Sequence, residues 1–284
     1  NSRLAYRNLK KNAGSRTPGT DGKTIADLAK MSEPELIGFV QQKFNWYQPQ
    51  SVRRKEIPKG NGKTRPLGIP TIMDRLIQQC VLQVMEPICE AKFCETSNGF
   101  RPNRGVENAL AQAEKHMQKS NLHIVIDIDI KGFFDNVNHG KLLRQIWTMG
   151  IHDKKLLSII SAMLKAEVAG IGFPEKGTPQ GGILSPLLSN IVLNELDWWI
   201  TSQWVGMPTR HEYSGKIHEN GTKDQSKKYR ELRKTNLKEC YIVRYADDFK
   251  IFCRKHSDAV KLFEATRAWL KERLGLDISP EKSK

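Results

Sequence analysis

The 284-residue chain carries 46 Lys and Arg residues against 31 Asp and Glu residues, which gives a formal net charge of +15. This length is enough for one large domain or two small ones, and the 27% of charged residues indicates a globular rather than a disordered chain. No apolar run is long enough for a membrane-spanning helix, so we expect a cytoplasmic protein with no membrane partner. The positive charge favours nucleic acid as the partner, and the alternative is a basic surface that only keeps the protein in solution.

The first part of the chain predicts a basic hairpin followed by helices. Two short extended segments flank the tip Gly60-Asn61-Gly62 in VRRKEIPKGNGKTRPLGIP. Apolar residues then recur at helical spacing from Thr71 to Phe93, and again from Val106 to Ala113 after the turn SNGFRPNRG.

The middle of the chain predicts a strand between helices. LHIVIDIDIKGFF alternates apolar and polar residues and ends at Gly132, as a half-buried strand would. A helical segment is predicted from about Lys141 to Lys165. After the loop GFPEKGTPQGG, a further helix is predicted with Ser185 as its cap and Pro186 as its first residue.

The last third predicts a polar insertion, a hairpin and a helix. Residues 207–239 are rich in Lys and Arg, and they form either a solvated loop or an RNA-binding surface. CYIVRYADDFKIFCRK then predicts two strands. An amphipathic helix follows and stops at Gly275, and DISPEKSK begins another strand or turn. The residues predicted to face inward on this helix are Val260, Phe263, Trp269, Leu270 and Leu274. This order of elements predicts an α+β fold, an antiparallel sheet with helices on one face.

Paired carboxylates are the main functional signal. Asp247 and Asp248 lie side by side at the predicted hairpin tip, inside an apolar stretch where two like charges repel each other. Asp127 and Asp129 share one face of the earlier strand. If the two segments adjoin, Asp129 and the hairpin acids can hold two divalent ions for phosphoryl transfer. An Asp-Asp pair alone is more often an ordinary turn. The five cysteines and seven histidines lack the spacing of a zinc or disulfide site, so we expect neither.

The motifs together resemble the reverse transcriptases encoded by bacterial group II introns, also called maturases. The matching stretches span nearly the whole chain in the family's order: TPGTDGKTI, VRRKEIPKGNGKTRPLGIPTIMDR, SNGFRPNRG, DIKGFFDNVNH, GTPQGGILSPLLSNIVLNELD, YADDF and LGLDISPEKS.

This resemblance implies a set of catalytic residues. Asp129, Asp247 and Asp248 would be the catalytic carboxylates, and the main-chain carbonyl of Ile130 would complete the shell of one metal. The implied cofactor is Mg²⁺, as two ions for which Mn²⁺ substitutes. Lys282 would donate a proton to the pyrophosphate leaving group. Asp127 and Asp135 would be structural.

The resemblance also implies substrate contacts. Phe134 would exclude the 2′-hydroxyl of the incoming nucleotide and so favour deoxynucleotides. Gln180 and Gly181 would lie under the nascent base pair. Lys59, Arg65 and Arg75 would contact the triphosphate, for which Arg offers a planar fork and Lys a compact charge. Lys63 either assists them or is only solvated.

The same resemblance implies the organisation of the chain and its partners. Residues 1–115 would form a fingers-like subdomain and residues 116–284 a palm-like catalytic subdomain, in a right-hand polymerase fold without a thumb. The partners would be an RNA template, intron RNA, a DNA primer and deoxynucleoside triphosphates, with splicing and retrohoming as the wider role. A homodimer is left open. Without a thumb to hold the product duplex, we expect weak or no polymerase activity from this stretch alone, while RNA binding persists.

Other classes of protein share part of this pattern. Retron and diversity-generating reverse transcriptases share the chemistry and some of the motifs. A catalytically weak RNA-binding fragment would not need all three carboxylates. A nucleotide cyclase also uses a metal-binding acidic hairpin, but it would need neither the basic hairpin nor TPQGG.

Overall fold

The structure is a computed structural model that describes residues 1–58, 62, 64–213, 215–219, 221 and 223–284. Its helices are, in chain order, α1 (Ser2–Lys11), α2 (Ile25–Leu28), α3 (Glu33–Asn45), α4 (Ile72–Glu90), α5 (Val106–Glu114), α6 (Phe133–Asn136), α7 (His139–Thr148), α8 (Lys154–Leu164), α9 (Ser185–Gln203), α10 (Ser226–Leu232) and α11 (His256–Trp269). Its strands are β1 (Arg53–Pro58), β2 (Thr64–Ile69), β3 (Ser97–Asn98), β4 (Ile124–Ile128), β5 (Cys240–Tyr245) and β6 (Asp248–Cys253). The predicted α+β class is confirmed.

Contacts within the chain divide it into two compact units. The first unit comprises Asn1–Phe93, Gly132–Val192 and Leu274–Leu276, and the second comprises Cys94–Lys131, Leu193–Arg273 and Asp277–Lys284. The division at residue 115 into fingers-like and palm-like parts stays a prediction, because it concerns functional subdomains rather than compactness.

The first unit contains the predicted basic hairpin and a helical core. β1 and β2 pair antiparallel, with Arg53 opposite Ile69 and Pro58 opposite Thr64. Side-chain caps start the helices: the Ser32 hydroxyl and the Glu35 carboxylate form a capping box at α3, and the Thr71 hydroxyl accepts from the Asp74 N–H at α4. The core contains buried residues of the first four helices: Ala5, Leu9, Leu28, Leu36, Ile72, Leu76 and Cys80.

The second unit is built on a four-stranded sheet with the order β3-β5-β6-β4. The β5–β6 and β6–β4 pairs are antiparallel, whereas the short β3 pairs parallel to β5. A strand therefore lies within SNGFRPNRG, where the sequence predicted only a turn. The sheet is consequently mixed rather than purely antiparallel.

The two faces of this sheet differ in chemistry. Side chains alternate between the faces, so β6 presents Asp248, Lys250 and Phe252 on one face and Phe249, Ile251 and Cys253 on the other. We call the first the acidic face and the second the apolar face. α9 packs on the apolar face, where Asp197 binds Arg244 of β5. On the acidic face, Ala109 and Ala113 of α5 pack with a cluster of Leu122, Val243 and Phe252. In addition to the helix on the apolar face, α5 therefore covers part of the acidic face.

Two further element predictions need correction. The single helical segment predicted from Lys141 to Lys165 is two helices, because α7 ends at Thr148 and the Asp153 carboxylate caps a new helix by accepting from the Lys155 and Leu156 N–H groups. Val260 was predicted to face inward from α11, but it is 52% exposed. The buried residues of this helix are Ala259, Leu262 and Thr266.

The basic insertion is partly anchored to the second unit. It contains α10, whose Leu232 is buried, and the Glu239 carboxylate accepts from both Arg233 and Arg254. Burial opposes the charge of Glu239, but these two guanidinium groups outweigh that effect and lower its pKa. Among the residues that the structure describes, no helix is long and apolar enough to cross a membrane.

Candidate active site

The acid-bearing turn joins β5 to β6 through two residues. Tyr245 pairs with Asp248 at the end of the ladder, so Ala246 and Asp247 form the turn. Ala246 has a φ of 56°. A positive φ at the first central residue is typical of type II′ hairpins, where glycine is the usual residue. The turn therefore holds an alanine in a backbone conformation that side chains disfavour.

β4 supplies the third acidic residue. Ile128 lies opposite Phe249 in the antiparallel β4–β6 ladder, and one further step along both chains sets Asp129 opposite Asp248. Directly opposite residues of an antiparallel pair point to the same face. Asp129 therefore lies on the acidic face beside the turn that carries Asp247 and Asp248. The roles of these carboxylates stay predictions.

The C-terminal segment fixes the backbone of Asp129. Residues 277–284 run along the outer edge of β4, where Asp127 and Lys284 exchange two main-chain hydrogen bonds of 2.8 and 2.9 Å. The Asp129 carbonyl accepts from the Ser279 N–H at 2.7 Å, and its N–H donates to the Ser283 hydroxyl at 3.2 Å. Both main-chain groups of Asp129 are thus held in place.

Two lysines bind the acidic side chains. The Lys282 ammonium lies 3.3 Å from a carboxylate oxygen of Asp129. The Lys250 ammonium lies 2.8 Å from Asp127 and 3.4 Å from Asp248. Burial opposes the charge of Lys250, but the hydrogen bond to Asp127 and the nearby carboxylate charges outweigh it and raise the pKa of Lys250. The acidic face therefore already attracts cationic groups.

The residues of this site fit divalent cations in their chemistry. Carboxylate oxygens are the ligands that Mg²⁺ prefers, and the side chains of Asp129 and Asp248 are accessible, with exposed fractions of 42% and 70%. The two ammonium groups show that this end of the sheet accommodates positive charge. In the described part of the chain, no three His, Cys, Asp or Glu side chains stand close enough together to hold a metal ion as they are.

Phe134, which is predicted to exclude the 2′-hydroxyl of the incoming nucleotide, lies in the first unit. Phe134 is the second residue of α6 and packs edge-on against buried Phe133, with ring centroids 5.3 Å apart. Its carbonyl accepts from the Thr178 N–H at 2.7 Å. The loop that carries Gln180 and Gly181 is therefore bound directly to the backbone of Phe134.

The same loop packs closely against β2. The Gln180 carbonyl accepts from the Gly68 N–H at 2.6 Å. Gly181 has a φ of 111°, and a Cβ atom there would lie 2.7 Å from the Gly68 carbonyl oxygen. Glycine is required at this position by the approach of the hairpin backbone, and its predicted place under a base pair stays a prediction.

The predicted triphosphate ligands have different environments. Arg65 is exposed on β2. Arg75 is only 5% exposed, and its guanidinium donates to the carbonyls of Gly14 and Thr17 at 2.7 and 2.6 Å. A triphosphate contact by Arg75 would require the guanidinium to leave both carbonyls. Lys59 and Lys63 lie outside the described residues.

Sequence reasoning missed two groups of this site. Lys250 follows Asp248 by two residues in a strand, so the period-two pattern could have placed it on the same face. Arg244 was visible as a lone charge in an apolar strand, but nothing in the sequence pointed to Asp197 as its partner.

The structure resembles solved structures of telomerases. It superposes on apo telomerase from Candida tropicalis with a TM-score of 0.53 at 14% identity, covering 84% of this chain and 44% of that one. Telomerase from Candida albicans in complex with a telomeric RNA fragment gives a TM-score of 0.52 at 10% identity, covering 92% and 46%. At these identities the likeness shows a shared fold and nothing further.

The sequence comparisons specify the family. Residues 57–284 match the family described as reverse transcriptase (RNA-dependent DNA polymerase). The chain is 33% identical to protein YkfC of Escherichia coli over 95% of its own length and 72% of that protein. It is 35% identical to the group II intron-encoded protein LtrA of Lactococcus lactis over 99% of its own length, but it spans only 51% of LtrA. The chain belongs to the reverse transcriptase family.

Proposed function

We propose that this chain is the RNA-directed DNA polymerase part of a group II intron maturase. The observation that carries the proposal is the β4–β6 register, which sets Asp129 beside the Asp247-Asp248 turn on one accessible face. The 35% identity to a protein named as group II intron-encoded supports the maturase assignment. Cytoplasmic location, intron RNA binding and retrohoming belong to the proposal.

We assign metal binding to Asp129, Asp247, Asp248 and the carbonyl of Ile130. When bound, two Mg²⁺ ions would activate the attacking primer hydroxyl and stabilise the leaving oxygen. The carboxylates position the reaction from two strands whose register is fixed by the sheet. The Ser279 N–H donates to the Asp129 carbonyl and the Ser283 hydroxyl accepts from the Asp129 N–H, so the Asp129 carboxylate has a rigid base.

The remaining assignments follow the chemistry of each side chain. Lys282 would give a proton from Nζ to the departing pyrophosphate, and its ammonium already lies 3.3 Å from Asp129. Phe134 would exclude a ribose 2′-hydroxyl. Exposed Arg65 would bind the triphosphate, and Gln180 and Gly181 would support the nascent base pair. The net charge of +15 favours binding of the RNA template, intron RNA and DNA primer.

Primer extension tests this proposal. We expect the 284-residue chain to incorporate dTTP on poly(rA)/oligo(dT) with Mg²⁺ or Mn²⁺, although weakly. Asp247→Ala and Asp129→Ala should each reduce incorporation to about 1% or less, because each removes a carboxylate assigned to a metal. RNA affinity should be unchanged or slightly higher, because each variant has one negative charge fewer near the template.

Asp277→Ala is the matched control. Asp277 is an exposed carboxylate of the same unit, and its side chain pairs with Lys271 rather than with a lysine of the acidic face. This variant should extend the primer as the unsubstituted chain does. Equal extension by Asp247→Ala and the unsubstituted chain would refute the proposal.

A further inference from the structure

Beneath the acid-bearing turn lies a fully buried ion pair. Arg244 of β5 and Asp197 of α9 have side chains with 0% exposure. The Arg244 Nε donates to Asp197 Oδ1 at 2.8 Å, and its Nη2 donates to Asp197 Oδ2 at 2.6 Å. A two-pronged contact of this kind fixes the orientation of the guanidinium plane.

The third guanidinium nitrogen is directed to the turn itself. The Arg244 Nη1 donates to the carbonyl of Ala246 at 2.6 Å. Ala246 is the residue with the positive φ, and its carbonyl leads directly into Asp247. The hydrogen bond therefore acts on the peptide group that joins Ala246 to Asp247.

β3 and the residue after it hold the same turn from another direction. The Ala246 N–H donates to the Asn98 carbonyl at 2.9 Å, and Arg244 also donates to the Ser97 hydroxyl. A Cβ atom on Gly99 would lie 2.9 Å from the Ala246 nitrogen, so only glycine allows this approach. Both main-chain groups of Ala246 are bound, one by β3 and one by Arg244.

We infer that Arg244 and Asp197 are positioning residues for the metal-binding turn. The Asp197 carboxylate orients the Arg244 guanidinium, and that guanidinium holds Ala246 in its disfavoured conformation so that Asp247 faces the site. This inference rests on the proposed function, because it gives the turn a metal to bind. The alternative is an ion pair that only stabilises the second unit.

A double variant separates positioning from stability. Asp197→Leu/Arg244→Met replaces the pair by apolar side chains of similar size, and such exchanges of buried ion pairs are often neutral for stability. The variant should fold with an unfolding midpoint close to that of the unsubstituted chain, but it lacks the donor to the Ala246 carbonyl. We expect Mn²⁺ binding, followed by electron paramagnetic resonance, to weaken about tenfold or more.

Hydrogen exchange provides a readout that needs neither metal nor activity. In the double variant, the amides of residues 245–248 should exchange about tenfold faster, while the amides of β4 keep their protection. Adding Ala246→Gly should recover about fivefold in Mn²⁺ affinity, because glycine adopts a positive φ without the side-chain penalty. Full retention of Mn²⁺ affinity and of slow exchange in the double variant would overturn the inference.

A second ion pair of the same unit provides the control. Glu239→Leu/Arg254→Met removes a part-buried pair that makes no contact with the turn among the described interactions, so Mn²⁺ binding and exchange at residues 245–248 should be unchanged. A double variant that does not fold would be replaced by Arg244→Lys, which keeps the charge but cannot reach Asp197, Ser97 and the Ala246 carbonyl together. Its Mn²⁺ affinity should be intermediate, and an affinity equal to that of the unsubstituted chain would contradict the inference.

Mn²⁺ binding by the unsubstituted chain distinguishes failure of the proposed function from failure of the positioning inference. Mn²⁺ binding that is lost in Asp247→Ala supports the metal site whatever the outcome for Arg244. If the unsubstituted chain binds no Mn²⁺, the proposed function fails. If it binds Mn²⁺ and the Arg244 variants bind equally well, only the positioning inference fails.

Discussion

Lys250 donates to Asp127 at 2.8 Å and lies 3.4 Å from Asp248, so one ammonium group binds acidic side chains on two adjoining strands. The side chains of Lys250 and Asp248 are 41% and 70% exposed, which keeps their attraction weak through solvent screening. Lys250 is therefore a close hydrogen-bond partner of Asp127, whereas its contact with Asp248 is longer and weaker. If Asp248 binds a divalent ion as proposed, the ammonium of Lys250 would compete with that ion for the carboxylate.

Replacing Lys250 should strengthen metal binding slightly. We expect Lys250→Met to raise the Mn²⁺ affinity about two- to fivefold, because a competing positive charge is removed from a partly exposed pair. Titration of Mn²⁺ followed by electron paramagnetic resonance measures the change. Lys261→Met, an exposed lysine of α11, serves as the control and should leave the affinity as it is. A weaker affinity in Lys250→Met would show that Lys250 organises the acids rather than competing for them.

At the level of elements, the loop of residues 177–184 is bound to two neighbours. The Thr178 N–H donates to the carbonyl of Phe134 in α6, and the Gln180 carbonyl accepts from Gly68 in β2. Phe134 and the basic hairpin are thus joined through one loop of the first unit. A change of packing between this loop and β2 should therefore reach Phe134.

Gly181→Ala should destabilise the first unit more than an alanine at another positive-φ glycine. A Cβ atom at Gly181 would lie 2.7 Å from the Gly68 carbonyl oxygen, whereas a Cβ atom at Gly170, with φ of 78°, meets no atom within 4 Å. We expect Gly170→Ala to lower the free energy of unfolding by about 1–2 kcal/mol, and Gly181→Ala by about 2 kcal/mol more. Urea denaturation measures both, and equal losses would mean that the loop moves away from β2 freely.

At the level of the whole molecule, the net positive charge is the property most relevant to the proposed RNA binding. The net charge of +15 is spread over many segments, including the basic hairpin and the insertion of residues 207–239. Long-range attraction to phosphate would then supply most of the RNA affinity and little of its specificity.

RNA affinity should fall steeply with salt. Between 50 and 200 mM KCl, we expect the association constant for a labelled RNA hairpin to decrease about a hundredfold or more, because each neutralised phosphate releases counterions. Fluorescence anisotropy measures this dependence. Asp247→Ala should show the same slope, since it alters no phosphate contact. Affinity that does not change with salt would contradict a phosphate-based mode of binding.

The strongest local patterns of the sequence determined much of the fold. The hairpins β1–β2 and β5–β6 and the helix α4 follow from alternation, helical spacing and turn residues, all of which act over short distances. The predicted stop at Gly275 also follows from its turn residue, because a π-helical turn over Leu270–Leu274 continues α11 up to that glycine. The break between α7 and α8 was missed although Gly150, with a φ of 90°, and the capping Asp153 are local signals for it, whereas the exposure of Val260 was not predictable in this way. Apolar residues occur on both sides of that break, and the packing of the whole unit selects the face of a helix that is buried.

For the candidate site, the sequence indicated which types of residue take part, but it did not show which of them lie close together. The motif around Asp247 and Asp248 indicated a cation-binding site, because two adjacent carboxylates in an apolar stretch repel each other unless a cation neutralises them. Only the tertiary structure set Asp129 opposite Asp248, put Lys250 between two acids, and joined Arg244 to Asp197 across 47 positions of the chain. Strand register and buried ion pairs connect distant segments, and their energies depend on the solvent exposure that only the folded chain defines.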